Sequence, residues 1–426
     1  MDRDPGVRYQ VGRMTAATSD TAAMPDSGPQ SQTRAGASRL AAIDALRGVA
    51  ALAVLISHLP FSMSARPATG DAVAGSVFPQ WVDAICQHGA YGVHLFLIIS
   101  GFCIHMAWAR KGDDSTSVGF GQFWRRRLYR LYPPYFVALL LSLAGLFVLF
   151  TVIGGARGSF AARLGYQSES QLAVDLVLLL LLAQNLNGAS RRIGNGPFWT
   201  LALEEQLYAV YFPLLWMRRR WDWSRTLIVV GLVTLSWRLV AGFALPNLPS
   251  LVYIGPSRWF EWVLGSLAVE AYLGRVQLPA WCRSGTVGLA LAGIALLVIN
   301  APRFGVRELW LMPISDAVCG VALFTLVNYA CKVRWAEPGT GAIGRFFAWV
   351  GTFSYSLYLT HELVIVAAKH GAMRVGVGTG GIVVARLVLP VFAGWLFYRV
   401  VERRFLHASR RGSSQSLPAR ARSSTG

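Results

Sequence analysis

Apolar runs of about 20 residues recur along this chain from Leu40 to Arg404, separated by short polar stretches. A run of that length crosses the hydrocarbon core of a bilayer as a helix. The pattern predicts spans over about Ala41–Pro60, His88–Trp108, Tyr135–Ile153, Phe198–Met217, Ser224–Phe243, Gly255–Leu273, Gly285–Asn300, Leu311–Cys331, Trp349–Ala368 and Gly381–Val401. Leu172–Leu186 is apolar but short and ends among Gln184, Asn185 and Asn187. Read as a re-entrant or interfacial segment, it leaves ten spans. Arg110, Lys111, Arg125–Arg130, Arg218–Arg220, Arg275, Arg283, Lys332, Arg334, Arg345, Arg403 and Arg404 then share one side with both termini, as the positive-inside rule requires. Phe123–Tyr135, FWRRRLYRLYPPY, is predicted to be a short basic segment that turns at Pro133-Pro134. The predicted fold is all-α: a polytopic membrane helix bundle of about ten transmembrane helices.

Composition supports that reading. Of 426 residues, 54% are hydrophobic and 14% charged, against about 25% charged in soluble domains. Mean hydropathy is +0.44. A net charge of +19 on a soluble protein would point to nucleic acid; here the cations sit between apolar runs, so no nucleic-acid partner is expected. Residues 1–39 lack an apolar core and a secretory h-region. They are expected to be a disordered cytoplasmic tail, with Met14 and Met24 as later candidate starts. Residues 40–404 form the membrane domain, and 405–426 a disordered basic tail. The five cysteines, Cys86, Cys103, Cys282, Cys319 and Cys331, show neither metal spacing nor a disulfide framework.

The first span keeps two residues that are costly in a membrane, Arg47 and His58, eleven positions apart. Eleven helical steps return to nearly the same face, about 16 Å further along. Intramembrane ionisable residues mark functional sites. An Arg at the inner end can hold phosphates bidentately, and a His toward the outer end can serve as a general base. The bland alternative is a snorkelling Arg and an interfacial His.

Further motifs follow in order. Gly89–Phe102 reads GAYGVHLFLIISGF; Arg126, Arg127, Arg130 and Pro133 form a basic loop. Pro197-Phe198-Trp199-Thr200-Leu201 is followed by Glu204 and Tyr208. Arg258, Glu261 and Gly265 form R-x-x-E-x-x-x-G, and Gly351–His361 reads GTFSYSLYLTH. With the R-x10-H pair, this set resembles the membrane acyltransferase 3 family, bacterial integral-membrane O-acyltransferases, over about Leu40–Arg404. Two departures are visible. Thr200 stands where the family usually has Ser, and Glu402-Arg403-Arg404 lacks the Pro that often follows the last span.

The resemblance implies O-acyl transfer from acyl-CoA, in the simplest case acetyl-CoA, to a carbohydrate hydroxyl on a surface polysaccharide or glycolipid unit. It implies a bacterial cytoplasmic (inner) membrane location and no tightly bound cofactor. Arg47, Arg126 and Arg130 would bind the donor's phosphates. His58 would take the acceptor's proton. Glu204 would hydrogen-bond His58 and fix its tautomer, or bind sugar hydroxyls. Trp199, Tyr208 and His361 would contact the acceptor, though Trp and Tyr also gather at membrane interfaces. Arg258 and Glu261 are expected to be a buried i,i+3 pair that holds helices together. His94 and His105 have no partner visible in sequence.

Two alternatives stay open: acylation of a sugar on a macrolide-like metabolite, and a glycolipid flippase without acyl-transfer chemistry. Gly376–Gly381, GVGTGG, matches a dinucleotide fingerprint only formally, because no strand precedes it. No G-x-S-x-G occurs and no metal-ligand spacing, so neither a covalent serine nor a metal is expected.

Overall fold

The structure, a computed structural model, describes residues 29–59, 80–111, 119–153, 158–164, 166–187, 196–244, 251, 253–305, 308–337 and 341–406. The two expected tails therefore lie outside the described residues up to 28 and from 407. Met1–Ala37 and Ser38–Gly426 form separate units, and every site residue belongs to the second. Among the described residues all regular structure is helical.

Among the described residues fifteen α-helices follow one another. They are α1 (Pro29–Ser57), α2 (Gln80–His88), α3 (Gly92–Lys111), α4 (Phe120–Val148), α5 (Phe160–Arg163), α6 (Glu169–Leu180), α7 (Trp199–Ala209) and α8 (Tyr211–Arg218). Then come α9 (Trp223–Leu239), α10 (Trp259–Tyr272), α11 (Gly285–Asn300), α12 (Glu308–Lys332), α13 (Ala342–Thr352), α14 (Ser354–Arg374) and α15 (Thr379–Phe397). Among the described residues five stretches are helical, long and apolar enough to cross a membrane: Ile85–Arg110, Phe120–Thr151, Trp223–Phe243, Ile314–Lys332 and Gly380–Leu406. Gly285–Asn300 is a shorter apolar helix. Helix α1 begins at Pro29, so its first turns run through the segment expected to be tail.

Polarity is arranged for a lipid surround. Large apolar side chains are exposed on α4 (Phe136, Leu140), α9 (Ile228, Leu232) and α15 (Val388, Phe392). Polar side chains such as His105, Glu261, Glu270 and Asp316 are buried instead. Helix α3 is central: 72% of its apolar stretch is buried, against 22% for the spans at α9 and α15.

Three predicted elements differ from the observed ones. The basic segment does not turn at Pro133-Pro134. Both prolines lie inside α4, which runs unbroken from Phe120 into a π-helical turn at Leu149–Ile153. Proline φ is already helical, and prolines are tolerated in membrane helices whose neighbours carry the packing. Phe198–Met217 is not one helix but two, broken at Val210, because the ring of Pro213 opposes the carbonyl of Ala209. Trp349–Ala368 straddles a second break at Phe353. There the hydroxyls of Thr352 and Ser354 donate to the carbonyls of Trp349 (2.7 Å) and Gly351 (3.0 Å), competing with the helical ladder.

The short apolar segment Leu172–Leu186 forms the 12-residue α6, about 18 Å long and too short to span. The hydroxyls of Tyr132 and Tyr135 on α4 donate to its last carbonyls, those of Leu180 and Leu179. Past Glu402, helical backbone continues to Leu406, so the missing proline leaves the last helix free to extend.

Two helix crossings position the site, and both are backbone contacts through glycine. At the α3–α10 crossing, a Cβ on Gly101 would lie 1.9 Å from the Trp262 carbonyl oxygen, and one on Gly265 would lie 1.9 Å from that of Ile98. The glycines of the Ser-Gly-Phe and R-x-x-E-x-x-x-G motifs are thus the two halves of one contact. At the α1–α13 crossing, a Cβ on Gly48 would lie 2.0 Å from the Phe347 carbonyl oxygen, and one on Gly351 would lie 1.8 Å from that of Asp44. Small residues at such contacts let membrane helices pack closely.

Gly265→Val and Gly101→Val should each force α3 and α10 apart. Each should cost about 1–3 kcal/mol or more, and the pair less than the sum because they disrupt one contact. Thermal unfolding of purified protein in detergent measures this; unchanged transitions would contradict the crossing.

Candidate active site

Helices α1, α3, α4, α7 and α14 surround a cavity of about 230 Å³. Its lining is basic at one end. Arg47 comes from α1, with Asp44 one turn earlier at 3.9 Å. Arg127 and Arg130 come from one face of α4. The Arg127 guanidinium lies 5.5 Å over the Tyr208 ring and 5.7 Å over that of Phe123, a cation–π arrangement. Cys103 is exposed to this cavity.

Glu204 sits at the middle. It accepts hydrogen bonds from Ser100 Oγ (2.7 Å) and from the Tyr208 hydroxyl, and Trp262 Nε1 donates to Ser100 at 3.3 Å. At the far end Thr200 is hydrogen-bonded to Tyr358, whose hydroxyl also reaches the Pro197 carbonyl at 2.8 Å. Thr200 and Tyr208 are eight residues apart on α7, so about 12 Å of helix separates the Tyr358 end from the arginine end.

Beyond Tyr358 the aromatic contacts continue. Its ring lies 5.6 Å from that of His361, which in turn lies 4.9 Å from the His58 ring at 80°. His58 follows the last turn of α1, and its Nδ1 is 2.8 Å from the Val54 carbonyl. His361 Nδ1 is 2.8 Å from the Tyr358 carbonyl and 3.2 Å from that of Leu357. A carbonyl only accepts, so Nδ1 carries the proton on each ring. Nε2 is then the basic nitrogen of both. Glu362, next along α14, interacts electrostatically with His58.

The sequence candidates fall into three groups. Arg47, Arg130, Glu204 and Tyr208 line the cavity. His58 and His361 meet one another past its Tyr358 end. Arg126 is exposed on α4, and Arg127 takes the cavity-facing position. Trp199 packs edge-on against Tyr253 at 5.1 Å and is not among the cavity-lining residues. Glu204 hydrogen-bonds Ser100 and Tyr208, while the His58 tautomer is held by its own helix. Two further residues stand at the site. Arg127 belongs to the basic motif, but the resemblance selects Arg126 and Arg130 from it as donor-binding, and a segment read as a loop offers no face to choose Arg127. Glu362 had a signal: a carboxylate inside an apolar run, directly after His361.

Arg258 and Glu261 belong to a buried ionic knot. Arg258 pairs with Glu261 at 3.2 Å and with Asp316; Arg238 also pairs with Asp316; His94 Nδ1 lies 2.8 Å from Glu261. Donor atoms of His94, Glu261 and Asp316 lie within 4.8 Å of one another. The two guanidiniums balance the two carboxylates, which makes this an ion-pair knot joining α3, α9, α10 and α12. A second knot centres on Glu270. It accepts from His105 Nε2 (2.9 Å), Arg218 (3.0 Å) and Trp223 Nε1 (2.8 Å), tying α3, α8, α9 and α10 together.

Fold and site together define a helical membrane enzyme with a basic internal cavity leading toward a histidine pair. Residues 40–399 match the family described as "Acyltransferase domain", and the chain belongs to that family. It is therefore an acyltransferase, which sets the flippase reading aside. Acyltransferase MdmB of Streptomyces mycarofaciens is 27% identical over 396 residues, covering 85% of this chain and 91% of that one. Exopolysaccharide production protein ExoZ of Rhizobium meliloti is 27% identical, covering 78% and 93%. Peptidoglycan O-acetyltransferase OatA of Listeria monocytogenes is 25% identical over 78% of this chain, which spans half of OatA's length. No solved structure matches the chain.

Asp316→Ala should leave Arg238 and Arg258 buried without their shared carboxylate. That should cost about 3–5 kcal/mol, read as a lowered thermal transition or lost yield in detergent. A wild-type transition would show that the knot does not hold the helices.

Proposed function

We propose that this enzyme moves an acyl group, in the simplest case acetyl, from cytoplasmic acyl-CoA to a hydroxyl of a carbohydrate acceptor. The carrying observation is the cavity that gathers Arg47, Arg127 and Arg130 and ends one aromatic contact short of the His361–His58 pair. Guanidiniums match phosphate geometry, and CoA carries its phosphates far from its thioester. The donor's phosphates sit at the arginines, and its acyl end extends past Glu204 toward Tyr358.

His58 Nε2 takes the proton of the acceptor hydroxyl as its oxygen attacks the thioester carbonyl. The C–S bond then breaks, and the imidazolium returns the proton to the departing CoA thiolate. A neutral hydroxyl is a poor nucleophile without such a base. The Val54 carbonyl serves His58 as the orienting partner, holding Nδ1–H so that Nε2 is free.

The topology that fits this chemistry is the ten-span one. It counts α7–α8 as one crossing, and both termini face the cytoplasm of a bacterial inner membrane. The basic end of the cavity then faces the compartment where acyl-CoA is made. Relatives named for peptidoglycan O-acetylation and exopolysaccharide production support a surface glycan as acceptor. Deleting the gene and comparing acyl groups on surface glycans and secreted metabolites by mass spectrometry tests the acceptor. Loss confined to glycans supports the reading; loss confined to a metabolite assigns the acceptor there instead.

Donor binding has a built-in reporter. Cys282, Cys319 and Cys331 are buried, so in a Cys86→Ser background N-ethylmaleimide should react mainly at Cys103. Coenzyme A should slow that reaction. Arg127→Ala and Arg130→Ala should weaken the protection about tenfold or more, the worth of a charge-assisted hydrogen bond, while Arg126→Ala should not. His58→Ala should keep the protection and lose acyl transfer. Equal protection in all arginine variants would remove the donor from this cavity.

A further inference from the structure

Hydrogen-bond acceptors gather at the His58 end of the path without donors to match them among the described residues. His361 is 1% exposed, and its Nε2 has no hydrogen-bond partner among the described residues. Glu362 Oε2 is buried and likewise has none among the described residues. His58 spends its one N–H on Val54. A buried acceptor left unpaired is costly, so two of them beside a base call for a ligand that brings donors.

The carboxylate is also built into place. The Glu362 carboxylate lies against the Gly196 backbone. A Cβ at position 196 would lie 2.9 Å from Glu362 Oε2 and 3.2 Å from Oε1, so the carboxylate occupies the space a side chain there would need. Glu362 reaches the outside by its own route. It lines a groove of about 510 Å³ between α4 and α14, walled by Gly145, Val366 and Gly371 and extending to Arg374. None of these residues lines the arginine cavity. Glu362 therefore opens on a groove separate from the arginine cavity.

We propose that Glu362 and His361 form the acceptor subsite, receiving a second hydroxyl beside the one that His58 deprotonates, so that the enzyme selects sugars with adjacent hydroxyls. This rests on the O-acyltransferase reading above. A second hydroxyl donates to Glu362 Oε2 or His361 Nε2 while the first donates to His58 Nε2. An isolated hydroxyl leaves the carboxylate unpaired, and sites built to hydrogen-bond a substrate hydroxyl reject analogues that lack it. Glu362 touches the acceptor but moves no proton at the reacting carbon.

The test uses full-length protein in lipid nanodiscs, labelled acetyl-CoA and two probes. One is octyl β-D-glucoside. The other is its 2,4-dideoxy analogue, which has no adjacent hydroxyl pair. In the wild type, kcat/KM should favour the glucoside by about a hundredfold. Glu362→Gln keeps the shape and the Gly196 contact. It should shrink the preference below about tenfold by raising the glucoside KM, with the KM for acetyl-CoA and the protection of Cys103 unchanged. Gly196→Ala, which displaces the carboxylate without removing it, should shift the preference the same way.

The proposal is overturned if the wild type shows no preference, or if the preference survives Glu362→Gln. It is equally overturned if Glu362→Gln impairs donor and acceptor alike. Turnover of neither glycoside, with Cys103 still protected by coenzyme A, also overturns it. Loss of that protection in the wild type counts instead against the donor reading.

Discussion

Helix α1 touches α13 backbone to backbone, and the functional arrangement depends on that contact. Gly48 and Gly351 each sit where a Cβ would collide with a carbonyl of the other helix. Because α14 begins directly after α13, the crossing sets α14 beside the far end of α1. That is where His58 and His361 meet. Arg47 is the neighbour of Gly48, so the same contact fixes the arginine at the near end. One pair of glycines thus sets both ends of the path.

The polar interior follows from the solvent. In lipid, charged groups must find partners within the protein. Glu270 gathers His105, Arg218 and Trp223, and Asp316 gathers Arg238 and Arg258. Both carboxylates are ion-paired. His361 Nε2 and Glu362 Oε2 differ, being buried with no hydrogen-bond partner among the described residues. What sets them apart from the two knots is the missing ion pair, together with their place beside His58. The structure also places the resemblance motifs: Gly101 and Gly265 pack, Arg258 and Glu261 bind helices, and Glu204 and Tyr208 face the cavity.

The helical class and most apolar segments were legible because hydrophobic runs of span length seldom occur except as membrane helices. Breaks within them were harder. The split at Val210 depends on Pro213, which the motif reading passed over, and that at Phe353 depends on hydroxyls bonding their own helix. Reading Pro133-Pro134 as a turn had a second consequence. Without a helix there is no periodicity to tell Arg127 from Arg126, and the resemblance alone selects Arg126. Once α4 is continuous, Phe123, Arg127, Arg130 and Pro134 follow one helical stripe. The partners of His94, His105 and Glu204 were invisible for a different reason. Each lies on another helix, apart from Tyr208, and which helices pack together is not a local property.

The central claim is a single path from the arginine cavity to the histidine pair. An electron-microscopy structure of the protein in nanodiscs, bound to a non-hydrolysable acetyl-CoA thioether analogue, tests it directly. The account predicts phosphate density against Arg127 and Arg130, with the acyl end at Tyr358 on the side of His361 and His58. Phosphate density at Arg374, or an acyl end turned away from Tyr358, would contradict it.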